Sequence, residues 1–140
     1  MEDPVQELIT PREAGTLSGL FRRRVERTPH QAAYKSYDVL NGIWVDTTWQ
    51  EMADDISRWT RALYREKLEP GDRVAIMARN SRFWVMFDQA ALELALVVVP
   101  IYTEDRADNV QYILEHSGAK LLVIGGRSQW ERIRGKLKGV

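Results

Sequence analysis

The sequence predicts an α/β fold: a partial parallel sheet flanked by helices, with an antiparallel β-hairpin on its N-terminal side. Three observations carry this. Apolar runs at 73–78, 97–101 and 120–124 alternate with helical stretches, the rhythm of parallel strands joined by crossovers. These runs are mostly apolar rather than alternating, as expected of strands covered on both faces. Asn41-Gly42 divides two β-rich runs, a strong hairpin signal because both residues tolerate positive φ.

Taken in order, residues 1–15 show no periodicity and contain two prolines and a glycine, which predicts a mobile arm. Thr16 is placed to cap a helix running to about Thr28, with Leu17, Leu20, Phe21 and Val25 on one face and Pro29 as its stop. The hairpin strands follow at 32–39 and 43–47. Thr48-Trp49-Gln50-Glu51 is a capping-box pattern, in which threonine serves an orphan N–H and glutamate reaches back. The helix it opens carries Met52, Ile56, Trp59 and Leu63 as an apolar stripe opposite Asp54, Asp55, Arg58, Arg61 and Arg65. Glu69-Pro70-Gly71-Asp72 reads as a turn into the first parallel strand.

Asn80 or Ser81 then caps a helix to about Leu94, and residues 97–101 form a second buried strand closed by Pro100. Asp105 is placed to cap a third helix containing Val110, Ile113 and Leu114, which ends at His116-Ser117-Gly118. After the third strand, Ser128 begins a basic helix with Trp130, Ile133 and Leu137. The three strands are expected to pair in parallel, with the hairpin at an edge or in a neighbouring sheet.

Composition excludes several functions. A chain of 140 residues is long enough for one domain with a core and short for two. Twenty basic and twenty acidic residues cancel, so nothing draws the whole chain to nucleic acid or an anionic membrane. The absence of cysteine removes disulfides and thiolate metal sites and fits a reducing compartment. Met1-Glu2-Asp3-Pro4 lacks the apolar core of a signal peptide. The longest apolar run, 94–102, is far below the ~20 residues that span a bilayer. The expectation is a cytoplasmic-type soluble chain.

Several phrases, in order and spacing, resemble the N-terminal region of the adenylate-forming (AMP-binding) enzymes. They are Thr48-Trp49-Gln50-Glu51-Met52, Pro70-Gly71-Asp72-Arg73-Val74-Ala75-Ile76, Asn80-Ser81 followed by Trp84, Val98-Val99-Pro100, and Tyr112-Ile113-Leu114-Glu115-His116-Ser117-Gly118-Ala119-Lys120. The stretch Tyr102-Thr103-Glu104-Asp105-Arg106-Ala107-Asp108-Asn109-Val110 is similar to the long-chain fatty acyl-CoA synthetase branch rather than to luciferases or peptide-synthetase adenylation domains. The resemblance covers roughly residues 16–126. It implies a family that joins a carboxylic acid to ATP, giving an acyl-adenylate and pyrophosphate, then transfers the acyl group to coenzyme A. It thereby implies ATP, Mg²⁺ and CoA for a full-length parent, and no cofactor for this chain by itself.

The family's phosphate loop, rich in serine, threonine and glycine, has no match here. The nearest run, Gly125-Gly126-Arg127-Ser128, lacks its length, threonines and lysine and reads as a strand end and helix cap. The family's later motifs, including its catalytic lysine, have no counterparts either. No catalytic, cofactor-binding or metal-binding residue is therefore assigned. Two positions depart from the family pattern: Glu93 and Ala95 stand where glycines are usual. Ala95 predicts either a remodelled turn at 94–96 or a stability penalty for a left-handed alanine.

Other groups carry a functional and a structural reading. Arg22, Arg23, Arg24 and Arg27 suit an anion or lipid headgroup, but better a solvated face with nearby acids. Glu104, Asp105 and Asp108 suggest a metal cluster, but better helix-start acids. His30 and His116 read as structural or surface residues, and Trp59 as core. Trp49 and Trp84 are placed to pack against the rest of a larger domain.

Two functional readings remain. In the first, residues 16–140 are part of the large domain of a long-chain fatty acid–CoA ligase, inactive alone, whose partner is the remaining polypeptide and whose homodimerisation is open. In the second, the chain is a stand-alone, non-enzymatic α/β module that binds a partner or a lipid-like ligand.

Overall fold

A computed structural model describes residues 8–138. Of the arm expected at 1–15, residues 1–7 lie outside the described residues. Within the rest, Pro11–Ala14 form one turn of helix (α1), because Pro11 has the φ of a first helical residue and the Thr10 hydroxyl accepts the Glu13 N–H. Arg27 fixes this turn by bonding the Glu13 carboxylate and the Leu8 carbonyl. This part of the expected arm thus holds a turn of helix tied to α2, which periodicity over so few residues does not reveal.

Thr16 caps α2 (Leu17–Arg27), which stops at Thr28 before Pro29 as expected. Its apolar face is only partly covered: Phe21 packs on the core, while Leu17 and Leu20 are exposed. The arginine cluster largely takes its structural reading, with Arg23 on Glu26 and Arg27 on Glu13.

Strands β1 (Ala32–Asp38) and β2 (Ile43–Thr48) form the antiparallel hairpin, a two-stranded sheet of its own. Its loop has four residues, 39–42, and only Gly42 takes positive φ (67°). The Asp38 carboxylate organises it by accepting the Leu40 and Asn41 N–H groups and the Asn41 side-chain amide. These bonds, the Asn41 amide foremost, hold the Asp38 carboxyl below its ordinary range.

The capping box forms at the start of α3 (Trp49–Arg65): Thr48 Oγ1 accepts the Glu51 N–H, and Glu51 accepts the Thr48 N–H at 2.7 Å. That backbone bond, with the Thr48 hydroxyl, lowers the Glu51 pKa. The predicted stripe faces inward, with Met52, Ile56 and Leu63 buried. Trp59 packs edge-on against Phe83 and Phe87 at 5.1 and 5.8 Å.

The second sheet holds β3 (Arg73–Met77), β4 (Val97–Pro100) and β5 (Leu121–Ile124), all parallel, in the order β4-β3-β5. The central strand β3 is the buried one. Its alternating side chains split the core: Val74 and Ile76 meet α3 and α4 (Arg82–Glu93) on one face, with Phe87 fully enclosed. Ala75 and Met77 meet α5 (Ala107–Ser117) and α6 (Arg127–Ile133) on the other, around Val110 and Ile133. A 3₁₀ turn, Arg134–Lys136, follows.

Three expectations are corrected. The strand expected to be buried at 97–101 is an edge strand: Val97 is 48% exposed, and Pro100 is also exposed. Asp105 does not cap α5. The N-cap position falls on Arg106, without a side-chain cap, while Asp105 accepts from the Asn109 amide and Asp108 pairs with Arg106. The last helix, expected to begin at Ser128, starts one residue earlier at Arg127, behind Gly126 in extended backbone. In both helices the backbone turns one residue away from the position that the sequence suggested.

Ala95 keeps the left-handed turn, at φ 54°. The Leu96 N–H reaches the Ala91 carbonyl at 2.9 Å and the Ala95 N–H reaches Leu92 at 3.1 Å. These two bonds define a Schellman motif with alanine at its left-handed position.

Candidate functional site

Sheet topology determines where a ligand crevice lies. From β3 the chain passes through α4 to β4 on one side, then through α5 to β5 on the other. A parallel sheet with such a reversal opens a crevice at the carboxyl ends of the flanking strands. Two clefts lie there and share Ala78 and Arg79 at the end of β3. One, of about 530 Å³, is lined by Ser81, Phe83, Glu104, Gly125, Ser128 and Arg132, among others. The other, of about 460 Å³, is more apolar, with Trp84, Pro100, Ile101 and Tyr102 facing Asn80 and Thr103.

The elements hold these groups firmly. Ile101 donates its N–H to the Ile76 carbonyl and Gly125 donates to Met77, each at 2.9 Å, so both strand ends are tied to β3. Gly125 must be small: a Cβ there would sit 3.0 Å from the Ala78 Cβ. At the opposite end of the sheet, Asp72 receives the Lys120 ammonium on both carboxylate oxygens (2.8 and 2.9 Å) and accepts the Glu69 N–H at 2.9 Å. The Lys120 bond first, and the Glu69 bond second, depress the Asp72 pKa. Arg73 donates to the Ser117 carbonyl at 2.7 Å and to the Gly118 carbonyl at 3.2 Å, fixing the end of α5.

Charge within the crevice is nearly balanced. Arg132 binds the Glu104 carboxylate and the Thr103 carbonyl. The Arg79 guanidinium has no partner among the described residues. The half-buried Asp88 carboxyl on α4, which lines neither cleft, has its pKa raised by burial.

A magnesium-bound triphosphate does not fit this donor set. Among the described residues no group of three or more His, Asp or Glu lies close enough to hold a metal ion. The N–H of Gly125, first residue of the glycine pair, is engaged in the sheet. The sequence candidates do not converge either. Asp108, Asp105 and Glu104 each bind a different side chain, and His116 stacks on Tyr112 at 5.4 Å.

Sequence reading missed Arg79 and the crevice itself. Its signal is the strand order, which the apolar runs do not encode: an order with β3 at the edge would place Arg79 elsewhere. Sequence reading also missed Arg82, which donates to the buried Thr47 hydroxyl at 2.9 Å and ties the hairpin to α4.

Relatives and solved structures agree with this architecture. Over 84 residues the chain is 33% identical to "Long-chain-fatty-acid--CoA ligase FadD15" of Mycobacterium bovis, covering 60% of this chain and 14% of that protein. It is 32% identical over 108 residues to "Tyrocidine synthase 3" of Brevibacillus parabrevis, covering 77% of this chain and 2% of that one. The structure of "Mycobacterium tuberculosis fatty acyl CoA synthetase" superposes with a TM-score of 0.76 at 27% identity, over 89% of this chain and 24% of that one. The chain thus spans less than a quarter of the length of each of these proteins. The AMP-binding enzyme family model matches residues 21–139, and with that match, the shared α/β fold and the relatives in hand, the chain belongs to the AMP-binding enzyme family.

Proposed function

We propose that residues 16–140 are scaffold of an ATP-dependent long-chain fatty acid–CoA ligase. They would build one face of its large domain and leave the chemistry to residues this chain does not contain. In such a ligase ATP supplies the leaving group that makes a carboxylate open to thiolate attack. The residues of this chain instead hold shape: the Schellman turn at Ala95, the Asp72–Lys120 pair and the Arg82–Thr47 link tie the elements together.

One observation carries the reading. The edge strand β4 has the apolar composition of a strand covered on both faces, yet Val97 and Pro100 are exposed. A further protein layer over β4 would give that composition its use. Similarity to a protein named a long-chain fatty acid–CoA ligase supports the substrate class. In the described residues no helix is long and apolar enough to cross a membrane.

The test grafts residues 16–138 in place of the matched segment of the M. tuberculosis fatty acyl CoA synthetase. Fatty-acid-dependent pyrophosphate release is then measured for the chimera and for the isolated chain. The chimera is expected to be active and the isolated chain inert. A folded but inactive chimera, or turnover by the isolated chain, overturns the proposal.

A further inference from the structure

We infer that Asn41-Gly42 is a deamidation site that Asp38 holds dormant: the folded hairpin loop suppresses succinimide formation, and loss of the Asp38 carboxylate releases it. This goes beyond the scaffold reading and stands independently of it.

The chemistry needs an asparagine followed by an unhindered main-chain nitrogen. Attack of the Gly42 nitrogen on the Asn41 Cγ forms a C–N bond. Breaking the Cγ–Nδ2 bond then expels ammonia, which takes up the proton that the Gly42 nitrogen gave to the solvent. Water opens the cyclic imide to aspartate or isoaspartate. Asn80 and Asn109 precede Ser81 and Val110, whose side chains crowd the attacking nitrogen, whereas Asn41 precedes a glycine. Asn41 and Gly42 are both exposed, and a Cβ built on Gly42 would meet nothing nearer than the Tyr37 hydroxyl at 3.8 Å. Water and base therefore reach this peptide bond freely.

Hydrogen bonding opposes the reaction at the bond that forms and at the bond that breaks. The Gly42 N–H donates to the Asp38 carbonyl at 2.8 Å, so the attacking nitrogen cannot lose its proton without giving up that contact. The departing Asn41 Nδ2 donates to Asp38 Oδ2 at 2.7 Å, while Asp38 Oδ1 accepts the Leu40 and Asn41 N–H groups at 3.0 and 3.2 Å. Bonds to an ionised acceptor are the stronger kind. The Asp38 carboxylate also disfavours, as a like charge, the negative charge that develops on the Gly42 nitrogen and then on the Asn41 Oδ1. After conversion the relation inverts. A carboxylate at position 41 faces Asp38 where a donor stood, and isoaspartate adds a carbon to the main chain of the loop. The product therefore loosens the turn between β1 and β2.

The experiment incubates the whole chain at neutral pH, folded and unfolded in guanidinium chloride. The peptide carrying residue 41 is then resolved by chromatography and mass spectrometry into asparagine, aspartate and isoaspartate forms. The folded chain is expected to deamidate at Asn41 about 10- to 100-fold more slowly than the unfolded one, the range for giving up one neutral and one charge-assisted hydrogen bond. Asp38→Ala should recover most of that difference while the amide resonances of β3, β4 and β5 stay in place. Asp38→Asn, which keeps the shape of the side chain without its charge, should fall between the two, and it decides the matter where Asp38→Ala does not fold. Asp46→Ala removes instead the hairpin carboxylate paired with Lys35 and should leave the parent rate unchanged. Equal rates in the folded and unfolded parent, or a folded Asp38→Asn chain no faster than the parent, overturn the inference.

Discussion

Replacing Ala95 by glycine should stabilise the protein, and the chain contains its own control. Both α4 and α5 end in Schellman motifs with the same long bond, Leu96 N–H to Ala91 and Ala119 N–H to Leu114, at 2.9 and 3.1 Å. The residue in the left-handed position is Ala95 in one (φ 54°) and Gly118 in the other (φ 61°). A Cβ in that conformation crowds the following carbonyl and costs about 1–2 kcal/mol. Glycine relieves this but adds about 0.4–1 kcal/mol of unfolded-state entropy to be lost on folding. Ala95 is exposed, so removing its methyl forfeits no core packing. The net expectation is a gain of about 0.5–1 kcal/mol, read as a rise of about 2–3 °C in Tm for a chain of this size. The turn cannot evade the strain by relaxing, because the Ala95 carbonyl also accepts the Gly71 N–H at 2.8 Å. Thermal unfolding followed by circular dichroism decides it. An unchanged or lower Tm for Ala95→Gly refutes the argument that alanine is strained here.

Three further outcomes follow from the same contacts. Gly118→Ala should cost about 1–2 kcal/mol for the left-handed Cβ and more for displacing Arg73, whose Nη2 would lie 2.7 Å from the new methyl; denaturant midpoints measure it, and a neutral result refutes it. Arg82→Ala strands the buried Thr47 hydroxyl and should cost about 1–3 kcal/mol, whereas Arg82→Ala with Thr47→Val should recover part of that loss; faster amide exchange in the hairpin marks the same break. The third concerns pH. The Asp72 carboxyl is depressed by Lys120 and the Glu69 N–H, so its stabilisation is complete above the ordinary carboxylate pKa and is lost as pH falls through the lower folded value. Melting temperature should therefore fall more steeply with acid below about pH 4 in the parent than in Asp72→Asn, and parallel curves would count against the pair.

The legible parts of this fold are those encoded locally. The capping box at Thr48 and Glu51, the stripe of Met52, Ile56 and Leu63, and the glycine ending α5 all act within a few residues, and each appears as read. The Asn41-Gly42 signal marked the hairpin correctly, but the loop is one residue longer than the expected strands left, because the Asp38 carboxylate holds Leu40 and Asn41 and β1 ends at Asp38. The start of α5 was misread for a related reason. Asp105 has a capping side chain, but its carboxylate binds the Asn109 amide instead of a helix N–H, and the helix begins behind Arg106. The crevice was illegible because it depends on which strands are neighbours. Arg79 is an ordinary arginine in the sequence and becomes a crevice residue only because β4 and β5 flank β3.

Strand β4 shows how composition and structure separate. Three consecutive valines predict a strand wrapped on both sides, and β3, with the same character, is wrapped. Hydrogen bonding places β4 at the sheet edge, where a soluble protein ordinarily sets charge, proline or a bulge against stray pairing. Only Pro100 serves that purpose here, at the strand's last position, while Val97 stays bare at its first. At the other edge β5 is equally apolar but keeps all four residues half-buried, so the conflict between local propensity and tertiary environment is sharpest at β4. At that strand the sequence is suited to a neighbour lying against its open edge. A second protein layer there would resolve the conflict without changing any residue, and so the exposed valine is better explained by what packs on it than by a tolerated flaw.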